Sequence, residues 1–435
     1  MAETPGPDTR SPDSPDLKLT HIAAVAAGNA LEFYDFLLYS TFAIFIGHAY
    51  FPAHGAGVSL LLSLATFGIG FVTRPLGSVV LGRVGDAVGR KPAMLISFSL
   101  MALGLLGVAA TPSYGQIGLA APVIVIISRL IQGFALGGEV GPSTAYLIEA
   151  APAHRRGIIG SMQRTSQNLA TLAGAVIALS LSLLLPRAAL ADWGWRAAFL
   201  LGLLILPFGI YVRRNLPETA PPRATVAIRQ PFPWRLVIAS TIILAGGTMI
   251  TYTGAYQVTF AMDTLGLPPS VAFGVGVTSG LCGVIFCPLG GWLSDRYGRR
   301  WIMIPGSILT AAMVLPVYAF LITHPTPLAL YAAVATLAAP AAFAGAPVIL
   351  AITESFPARV RCFAVGVIYA VTIAIFGGST QLAIAALIHT TDQPMAIGYY
   401  QLFAGAVMIV GMLILPESAP ARLTPKARRP AEALA

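Results

Sequence analysis

The segment GRVGDAVGRK, residues 82–91, recurs further along the chain as GWLSDRYGRR, residues 291–300. Both copies follow the pattern G-x-x-x-D-x-x-G-R-[KR], and each comes directly after a long apolar stretch. Two more pairs occur in the same order: EAAPAHRRG from Glu149 with ESFPARVRC from Glu354, and LPET at 216–219 with LPES at 415–418. These ordered pairs indicate that the chain consists of two homologous halves.

The composition places both halves in a lipid bilayer. The 435 residues are 56% hydrophobic and 10% charged, and the mean hydropathy is +0.79. A helix that crosses a bilayer needs about 20 mostly apolar residues. The sequence contains twelve candidates, called here the first to twelfth spans: 20–50, 58–81, 92–111, 120–149, 159–185, 194–213, 235–262, 270–293, 301–322, 327–354, 361–389 and 394–415. We therefore predict an all-α membrane protein with twelve transmembrane helices in two pseudo-symmetric six-helix bundles.

Polar stretches divide the chain into domains. Residues 1–19 are polar and proline-rich and lack the apolar core of a signal peptide, so we predict a disordered cytoplasmic tail. Residues 20–214 are predicted to form the N-terminal bundle, and 235–417 the C-terminal bundle. Five prolines and several arginines make 215–234 too polar to span, so it is predicted to be a cytoplasmic linker. Residues 418–435 are predicted to be a second cytoplasmic tail.

The basic residues indicate an orientation. The formal net charge is +9, with 26 lysines and arginines. All of these lie in the tails, the even-numbered loops or the linker, except Arg74, Arg129, Arg164, Arg187 and Arg196. By the positive-inside rule, this bias predicts a bacterial-type cytoplasmic (inner) membrane protein with both termini in the cytoplasm. The same distribution accounts for the positive charge without a nucleic-acid partner.

The sequence carries no cofactor signal. Cys282, Cys287 and Cys362 lie in apolar surroundings without zinc-ligand or disulfide spacing, and the histidines lack metal-ligand spacing. No Walker loop follows a strand, so ATP is not expected to be the energy source. We also find no nucleophile–base or metal grouping of the kind that a membrane enzyme needs. We therefore expect no metal, no cofactor and no enzymatic activity.

Ionisable residues inside the spans indicate where a functional cavity lies. An ionisable side chain on a helix in hydrocarbon costs about 2.5–3.5 kcal/mol on insertion scales, so it tends to face a cavity or a partner. On the first span, Asn29, Glu32, Asp35 and Tyr39 fall on one helical face. This polar stripe is predicted to point into the bundle.

The fourth and fifth spans carry similar polar stripes. Their members are Arg129, Gln132 and Glu139, and Arg164, Gln167 and Asn168, respectively. Arg74 lies about 18 Å of helix before Asp86, which puts it deep in the second span. Because Pro75 follows it, we interpret Arg74 first as a packing or gate residue and second as a substrate residue.

The second half differs from the first in charge. It has no Lys, Arg, Asp or Glu well inside its spans, only end residues such as Asp263 and Glu354. It offers instead tyrosines on the seventh and eleventh spans: Tyr252, Tyr256 and Tyr369. We therefore predict that the first half handles charge and that the second supplies neutral hydrogen bonds and aromatic walls.

A partly desolvated carboxyl group in the first half is predicted to be a proton site. Its protonation responds to burial and to a nearby arginine, and therefore to the opening of a cavity and to a bound anion. Asp35 is the first candidate, followed by Glu32 and Glu139, with Arg129 as the partner of the deprotonated acid. Protonation of the acid would then free Arg129 for an anionic substrate. The alternative is a fixed ion pair between packed helices that has no role in turnover.

The repeated loop motifs predict two conformational latches at the cytoplasmic face. Such an aspartate can accept hydrogen bonds from a neighbouring helix N-terminus, and such an arginine can reach a carboxylate at a helix end. The first latch would contain Gly82, Asp86, Gly89, Arg90, Lys91 and Glu149, and the second Asp295, Gly298, Arg299, Arg300 and Glu354. Ala87 stands where the second copy has Arg296, so the first latch has one fewer cation.

Together these motifs resemble the major facilitator superfamily over nearly the whole chain, from residue 20 to 417. Four segments are similar to its metabolite:proton symporter family: GNALEFYDFLLY (28–39), RLIQGFALGGE (129–139), DWGWRAAFL (192–200) and LPET (216–219). With VILAITESFPARVR (348–361) and AIFGGSTQ (374–381), their order is most similar to the citrate and tricarboxylate carriers. The resemblance implies two bundles that rock about a midplane site and carry a small substrate together with protons.

The arginines favour an anionic substrate, because guanidinium matches a desolvated carboxylate. The predicted substrate-binding residues are Arg129, Arg164, Arg74, Gln132, Gln167, Asn168, Asn29, Tyr39, Tyr252, Tyr256 and Tyr369. We expect import of citrate or a related tricarboxylate, with protons as the coupling ion, by a monomer in the bilayer. The alternatives are symport of a dicarboxylate, 2-oxoglutarate, an aromatic acid or a betaine-type metabolite, and proton-coupled export. Citrate carriers usually have a small or polar residue at the position of Arg164, which leaves the choice of acid open.

Overall fold

A computed structural model gives the fold of most of the chain. It describes residues 29–30, 33–34, 37–53, 56–88, 90–137, 151–204, 207, 233–419 and 422, with the backbone alone at 56, 85–87, 90, 91, 94, 153 and 358–363. Over these residues the chain is almost entirely helical and contains no β-strand. The predicted all-α class is confirmed.

The described part of the first half contains helices at all six predicted spans. Their bounds, in order, are Ala43–Tyr50, Ala56–Ile69 with Arg74–Ala87, Arg90–Ala110, Ala120–Gly137, Arg156–Leu184 and Trp195–Leu201. Shorter helical segments lie between or beside them: Tyr114–Ile117, Ala153–Arg155, Arg187–Ala189, Leu190–Gly194 and Gly202–Leu204. Much of the first, fourth and sixth predicted spans lies outside the described residues.

The second half follows its six predicted spans closely. The helices are Trp234–Asp263, Pro269–Tyr297, Arg299–Thr323, Pro327–Gly345 with Val348–Ser355, Ala358–Thr372 with Gly378–Thr391, and Ala396–Ile414. In the described chain as a whole, nine helical segments are long and apolar enough to cross a membrane, and Leu95–Ala110 is a shorter apolar one.

Three spans are interrupted where the sequence predicted continuous helices. The second turns at residues 70–73 and resumes with Pro75 in its first turn, a position where the missing proline N–H removes no helical bond. The tenth breaks at Ala346 and Pro347, because proline has no backbone N–H group to donate the hydrogen bond of a continuous helix. The eleventh contains a π-helical turn, Ile373–Gly377, of the kind that often marks functional sites.

Among the described residues, two helix pairs make the most extensive contacts between the predicted halves. The fifth span packs along the eighth, and the second packs against the eleventh. Within the second half, the seventh span packs on the twelfth, and the tenth packs on the eighth and ninth. Apolar side chains cover the outer surface: Ile285 and Ile308, in the middle of the eighth and ninth spans, are 59% and 51% exposed. Such exposure suits side chains that face lipid.

Glycines allow the halves to approach each other backbone to backbone. A Cβ atom on Gly291 would lie 2.5 Å from the carbonyl oxygen of Gly157, and one on Gly68 would overlap the carbonyl group of Gly378. Small residues at such crossings let membrane helices gain close packing. The two interfaces therefore depend on glycine at these positions.

Gly77 marks a similar contact inside the first half, where we expect any side chain to be disruptive. A Cβ atom there would overlap the backbone carbonyl of Phe134 on the fourth span. Gly77→Ala is expected to destabilise the protein by about 1–3 kcal/mol, which would lower its thermal unfolding midpoint in detergent. The matched control is Gly254→Ala, because a Cβ atom at Gly254 meets nothing within 4 Å. Equal midpoints for the two variants would contradict this expectation.

Candidate functional site

A cavity lies between the two halves, in two adjoining lobes of about 100 and 180 Å³. Its walls come from the first and fifth spans on one side and from the seventh to twelfth spans on the other. The polar or aromatic residues that line both lobes are Phe33, Arg164, Gln167, Thr251, Tyr252 and Gln401. The cavity therefore has one wall from each predicted bundle.

Arg164 gives this cavity its charge. Among the described residues that line either lobe, no other side chain is a Lys, Arg, Asp, Glu or His. Its Nη2 atom donates a hydrogen bond to Thr251 Oγ1 at 3.1 Å, and Gly345 lies against the guanidinium group, since a Cβ atom on this glycine would be 3.5 Å from Arg164 Nε. A single cation in a partly desolvated cavity favours an anionic ligand, since guanidinium pairs well with carboxylate.

Neutral polar groups surround Arg164. Gln167 lies one turn further along the fifth span, lines both lobes and is close to the hydroxyl group of Tyr369. Tyr252 lines both lobes, and Tyr369 lines the smaller one. Five of the predicted substrate-binding residues thus line this cavity: Arg164, Gln167, Tyr252, Tyr369 and, in the larger lobe, Asn168.

Arg129 does not line the cavity but lies behind an aromatic layer, which we define as Phe67, Phe71 and Tyr252. Arg129 is fully buried, with its guanidinium carbon 5.4 Å from the Phe67 ring centre and 4.5 Å from that of Tyr39. The Phe67 ring in turn packs 6.0 Å from the Tyr252 ring, which faces the cavity. Arg129 Nη1 donates to Gln132 Oε1 at 2.6 Å.

Arg74 occupies a similar place behind the same layer. Its guanidinium carbon lies 4.5 Å from the centre of the Phe71 ring, and the Phe71 ring packs 5.3 Å from that of Tyr252. Arg74 is also close to the hydroxyl group of Tyr252. It is 3% exposed, so the structure makes it a buried neighbour of the site.

Other predicted site residues have packing contacts of their own. Asn29 Nδ2 donates to Ser166 Oγ at 2.7 Å and to the carbonyl oxygen of Gln163 at 3.1 Å, which joins the first and fifth spans. Tyr39 is fully buried and donates to the carbonyl oxygen of Ser63. Neither lines the cavity, and neither do Gln132 and Tyr256.

Asn168 lines the larger lobe where the halves meet. Its amide Nδ2 is 3.6 Å from Cys287 Sγ on the eighth span, and a Cβ atom on Gly283 would overlap its side chain. Asn168 therefore lies at both the cavity and the contact between the halves.

The predicted proton sites Asp35, Glu32 and Glu139 lie outside the described residues, as does Glu149 of the first latch. Gly82 is described and has open space around its Cα. Asp86, Arg90 and Lys91 are described by their backbone alone, and Gly89 lies outside the described residues.

The second loop motif forms a buried charge network, at what we call the motif end of the molecule. Asp295 accepts hydrogen bonds from the backbone N–H groups of Gly157 at 2.7 Å and Ile158 at 3.1 Å, at the start of the fifth span. Arg299 is fully buried and pairs with Asp295 at 2.7 Å and with Glu354 at 3.2 Å. The network therefore joins the eighth, ninth and tenth spans to the other half.

The repeated LPES segment completes this network. Glu417 accepts hydrogen bonds from the backbone N–H groups of Arg299 at 2.9 Å and Arg300 at 3.0 Å, and so caps the ninth span. Ser418 Oγ donates to Glu354 Oε2 at 2.8 Å. Gly298, at φ +105°, makes the turn that brings these groups together.

The halves also meet on the far side of the cavity from the motif end. Phe42 and Phe273 pack with ring centres 5.2 Å apart, and Gln381 Nε2 donates to Ser40 Oγ at 2.7 Å. Contacts between the halves thus flank the cavity on both sides.

The family model described as Major Facilitator Superfamily matches residues 25–379. The chain belongs to this superfamily. A citrate-proton symporter of Klebsiella pneumoniae is 37% identical over 401 residues, which cover 90% of each chain. An alpha-ketoglutarate permease of Escherichia coli (strain K12) is 32% identical over 401 residues, covering 90% of this chain and 93% of the permease.

Solved structures of other proteins have the same fold as this chain. A proton:xylose symporter bound to 6-bromo-6-deoxy-D-glucose superposes with a TM-score of 0.74 at 16% identity, over 91% of this chain and 95% of the other. The predicted major facilitator fold is confirmed. The protein is a multi-pass membrane transporter and not an enzyme.

Several polar cavity residues of this superfamily member were missed from the sequence, among them Thr251, Gln257 and Gln401. Thr251 accepts a hydrogen bond from Arg164, and Gln257 and Gln401 line the cavity from the seventh and twelfth spans. All are neutral, so the search for ionisable residues inside spans passed over them. A glutamine inside an apolar span was the available signal, because burying an amide requires hydrogen-bond partners.

Proposed function

We propose that this protein imports a small organic anion, citrate or a related tricarboxylate, together with protons, by alternating access. The observation that carries the proposal is Arg164, the one formally charged side chain among the described residues of the cavity lining. The similarity to a citrate-proton symporter and an alpha-ketoglutarate permease supports an anionic substrate and proton coupling.

The positions of the arginines suggest how the protein could bind the anionic substrate and a proton at the same time. Arg164 faces the cavity and would bind the substrate carboxylate, whereas Arg129 lies behind the aromatic layer, away from the cavity lining. Asp35, with Glu32 and Glu139 as alternatives, would take the proton, and Arg129 would be the partner of the deprotonated acid. Tyr252, which lines the cavity and packs against Phe67 and Phe71, would respond to both events.

The contacts between the halves fit an alternating-access cycle. The network of Asp295, Arg299 and Glu354 would hold one end closed, and the Phe42–Phe273 contact the other. We propose that the motif end is cytoplasmic, that both termini lie there, and that the protein acts as a monomer in the bacterial inner membrane without a cofactor.

2-Oxoglutarate is the second candidate substrate, because the alpha-ketoglutarate permease covers the chain as fully as the citrate symporter does. Both acids present carboxylates that Arg164 could bind. They differ in the number of carboxylates, because citrate is a tricarboxylate and 2-oxoglutarate a dicarboxylate, and in the neutral oxygen, a hydroxyl in citrate and a keto group in 2-oxoglutarate.

Uptake of labelled citrate into proteoliposomes, driven by an imposed inward proton gradient, tests this function. Asp35→Asn is expected to abolish gradient-driven uptake and to leave citrate exchange intact, because an amide cannot release a proton. Arg129→Ala is expected to lower gradient-driven uptake as well. Absence of uptake of any di- or tricarboxylate would overturn the substrate class, and normal coupling in Asp35→Asn would overturn the proton site.

A further inference from the structure

Three polar side chains of the second half form a hydrogen-bonded chain beside the cavity. Gln257 Nε2, on the seventh span, donates to the hydroxyl oxygen of Tyr318 on the ninth span at 2.9 Å. The Tyr318 hydroxyl group donates to Gln401 Oε1, on the twelfth span, at 3.0 Å. The three residues are 7%, 1% and 5% exposed, so this chain is buried inside the bundle.

Each glutamine keeps a second polar atom that this chain does not use. A glutamine amide offers two N–H donors and one acceptor oxygen, which leaves Gln257 Oε1 and Gln401 Nε2 available. Some side-chain nitrogen and oxygen atoms of the described residues are fully buried and have no hydrogen-bond partner, but these two atoms are not among them. Both glutamines line the larger lobe of the cavity.

One N–H donor and one C=O acceptor remain available on the two glutamines, whichever way the hydrogen bonds through Tyr318 run. If Gln401 donated to Tyr318 and Tyr318 to Gln257, the two amides would exchange roles. In either direction, one cavity-lining amide keeps an N–H donor and the other keeps a C=O acceptor that the Tyr318 hydroxyl group does not use. The tyrosine between them fixes the orientation of both.

This amide pair lies apart from the cationic part of the cavity. Thr251, which bonds Arg164, is six residues before Gln257 on the same helix, about 9 Å along its axis. Arg164 and Gln401 nevertheless line the same two lobes. A small organic acid between them would present a carboxylate to Arg164 and another of its groups to the amides.

We infer that Gln257 and Gln401 form a subsite for a hydroxyl group, so that the protein selects hydroxy acids over keto acids and over acids without either group. The inference rests on the proposed transport of an organic anion. A hydroxyl group both accepts from the N–H donor and donates to the C=O acceptor. A keto oxygen or a second carboxylate can only accept, so it leaves the amide oxygen unpaired, and a C–H group satisfies neither amide.

Titration calorimetry on the purified protein, with two matched pairs of acids, tests this subsite. Citrate is compared with tricarballylate, which lacks only the hydroxyl group, and 2-hydroxyglutarate is compared with 2-oxoglutarate. The parent is expected to bind the hydroxy member of each pair about tenfold more tightly or better. Gln401→Leu and Gln257→Leu are expected to bring both ratios close to one, mainly by weakening the hydroxy acid.

Two further variants separate recognition from general damage. Tyr318→Phe keeps both amides but removes the group that orients them, so the ratios should fall part of the way. Gln393→Leu, an exposed glutamine in the turn after the eleventh span, should leave both ratios at the parent value. A ratio measured within one variant does not depend on how much of the sample is folded.

The outcomes distinguish this inference from the proposed function. If the parent binds carboxylates but does not prefer the hydroxy members, or if the glutamine variants keep that preference, the hydroxyl subsite is overturned and the function stands. If the parent binds none of the four acids, the anionic substrate class and the subsite fail together.

Discussion

Replacing Arg164 with glutamine should reduce gradient-driven citrate uptake about 100-fold. Loss of one partner of a buried, hydrogen-bonded charge pair costs about 2–5 kcal/mol, and every 1.4 kcal/mol is a factor of ten in affinity. Among the described residues no other formally charged side chain lines the cavity, so nothing in that lining would replace the lost charge. The measurement is the initial uptake rate as a function of citrate concentration in proteoliposomes.

Two control variants test whether the loss of uptake comes from the Arg164 guanidinium group. Arg187→Gln removes the same charge from an exposed position outside the cavity and should leave uptake unchanged. Arg164→Lys keeps the charge but loses the planar fork that binds carboxylate through two hydrogen bonds, so it should fall between the parent and Arg164→Gln. If Arg164→Gln retains the parent affinity, the substrate carboxylate does not bind at Arg164.

The spans could be read from the sequence because a bilayer imposes a simple length and composition on each helix. The interruptions were harder to predict. Pro75 and Pro347 both lie in membrane helices, and proline is common there without ending a span. The π-helical turn Ile373–Gly377 packs against the seventh span, and the sequence of one helix does not contain that contact.

The site was predicted in part, for a physical reason. Helical periodicity identifies residues that share a face, but it does not tell whether that face meets the cavity or a neighbour in the same bundle. Arg164 and Gln167 face the cavity, whereas Asn29 and Arg129, on equally polar stripes, contact side chains of their own half. That distinction depends on how the helices are rotated in the bundle.

Replacing Arg299 with methionine should be the most destabilising change at the motif end. The guanidinium group is fully buried between Asp295 and Glu354, so its removal leaves two carboxylates without their cation. Removal of one partner from a buried ion pair costs about 3–5 kcal/mol. We expect a clear fall in the thermal unfolding midpoint in detergent and loss of citrate uptake.

Arg296→Met is the matched control, because Arg296 lies in the same loop motif, in the last turn of the eighth span, but is exposed. It should change the unfolding midpoint little, since exposed charges contribute little to stability. Arg299→Met combined with Glu354→Gln should recover part of the lost stability, because one of the two unpaired charges is then removed.

If Arg299→Met and Arg296→Met unfold at the same temperature, the buried network does not stabilise the protein. If Arg299→Met is unstable but closes the motif end normally, as judged by labelling of a cysteine placed there, the network stabilises the fold without acting as a latch.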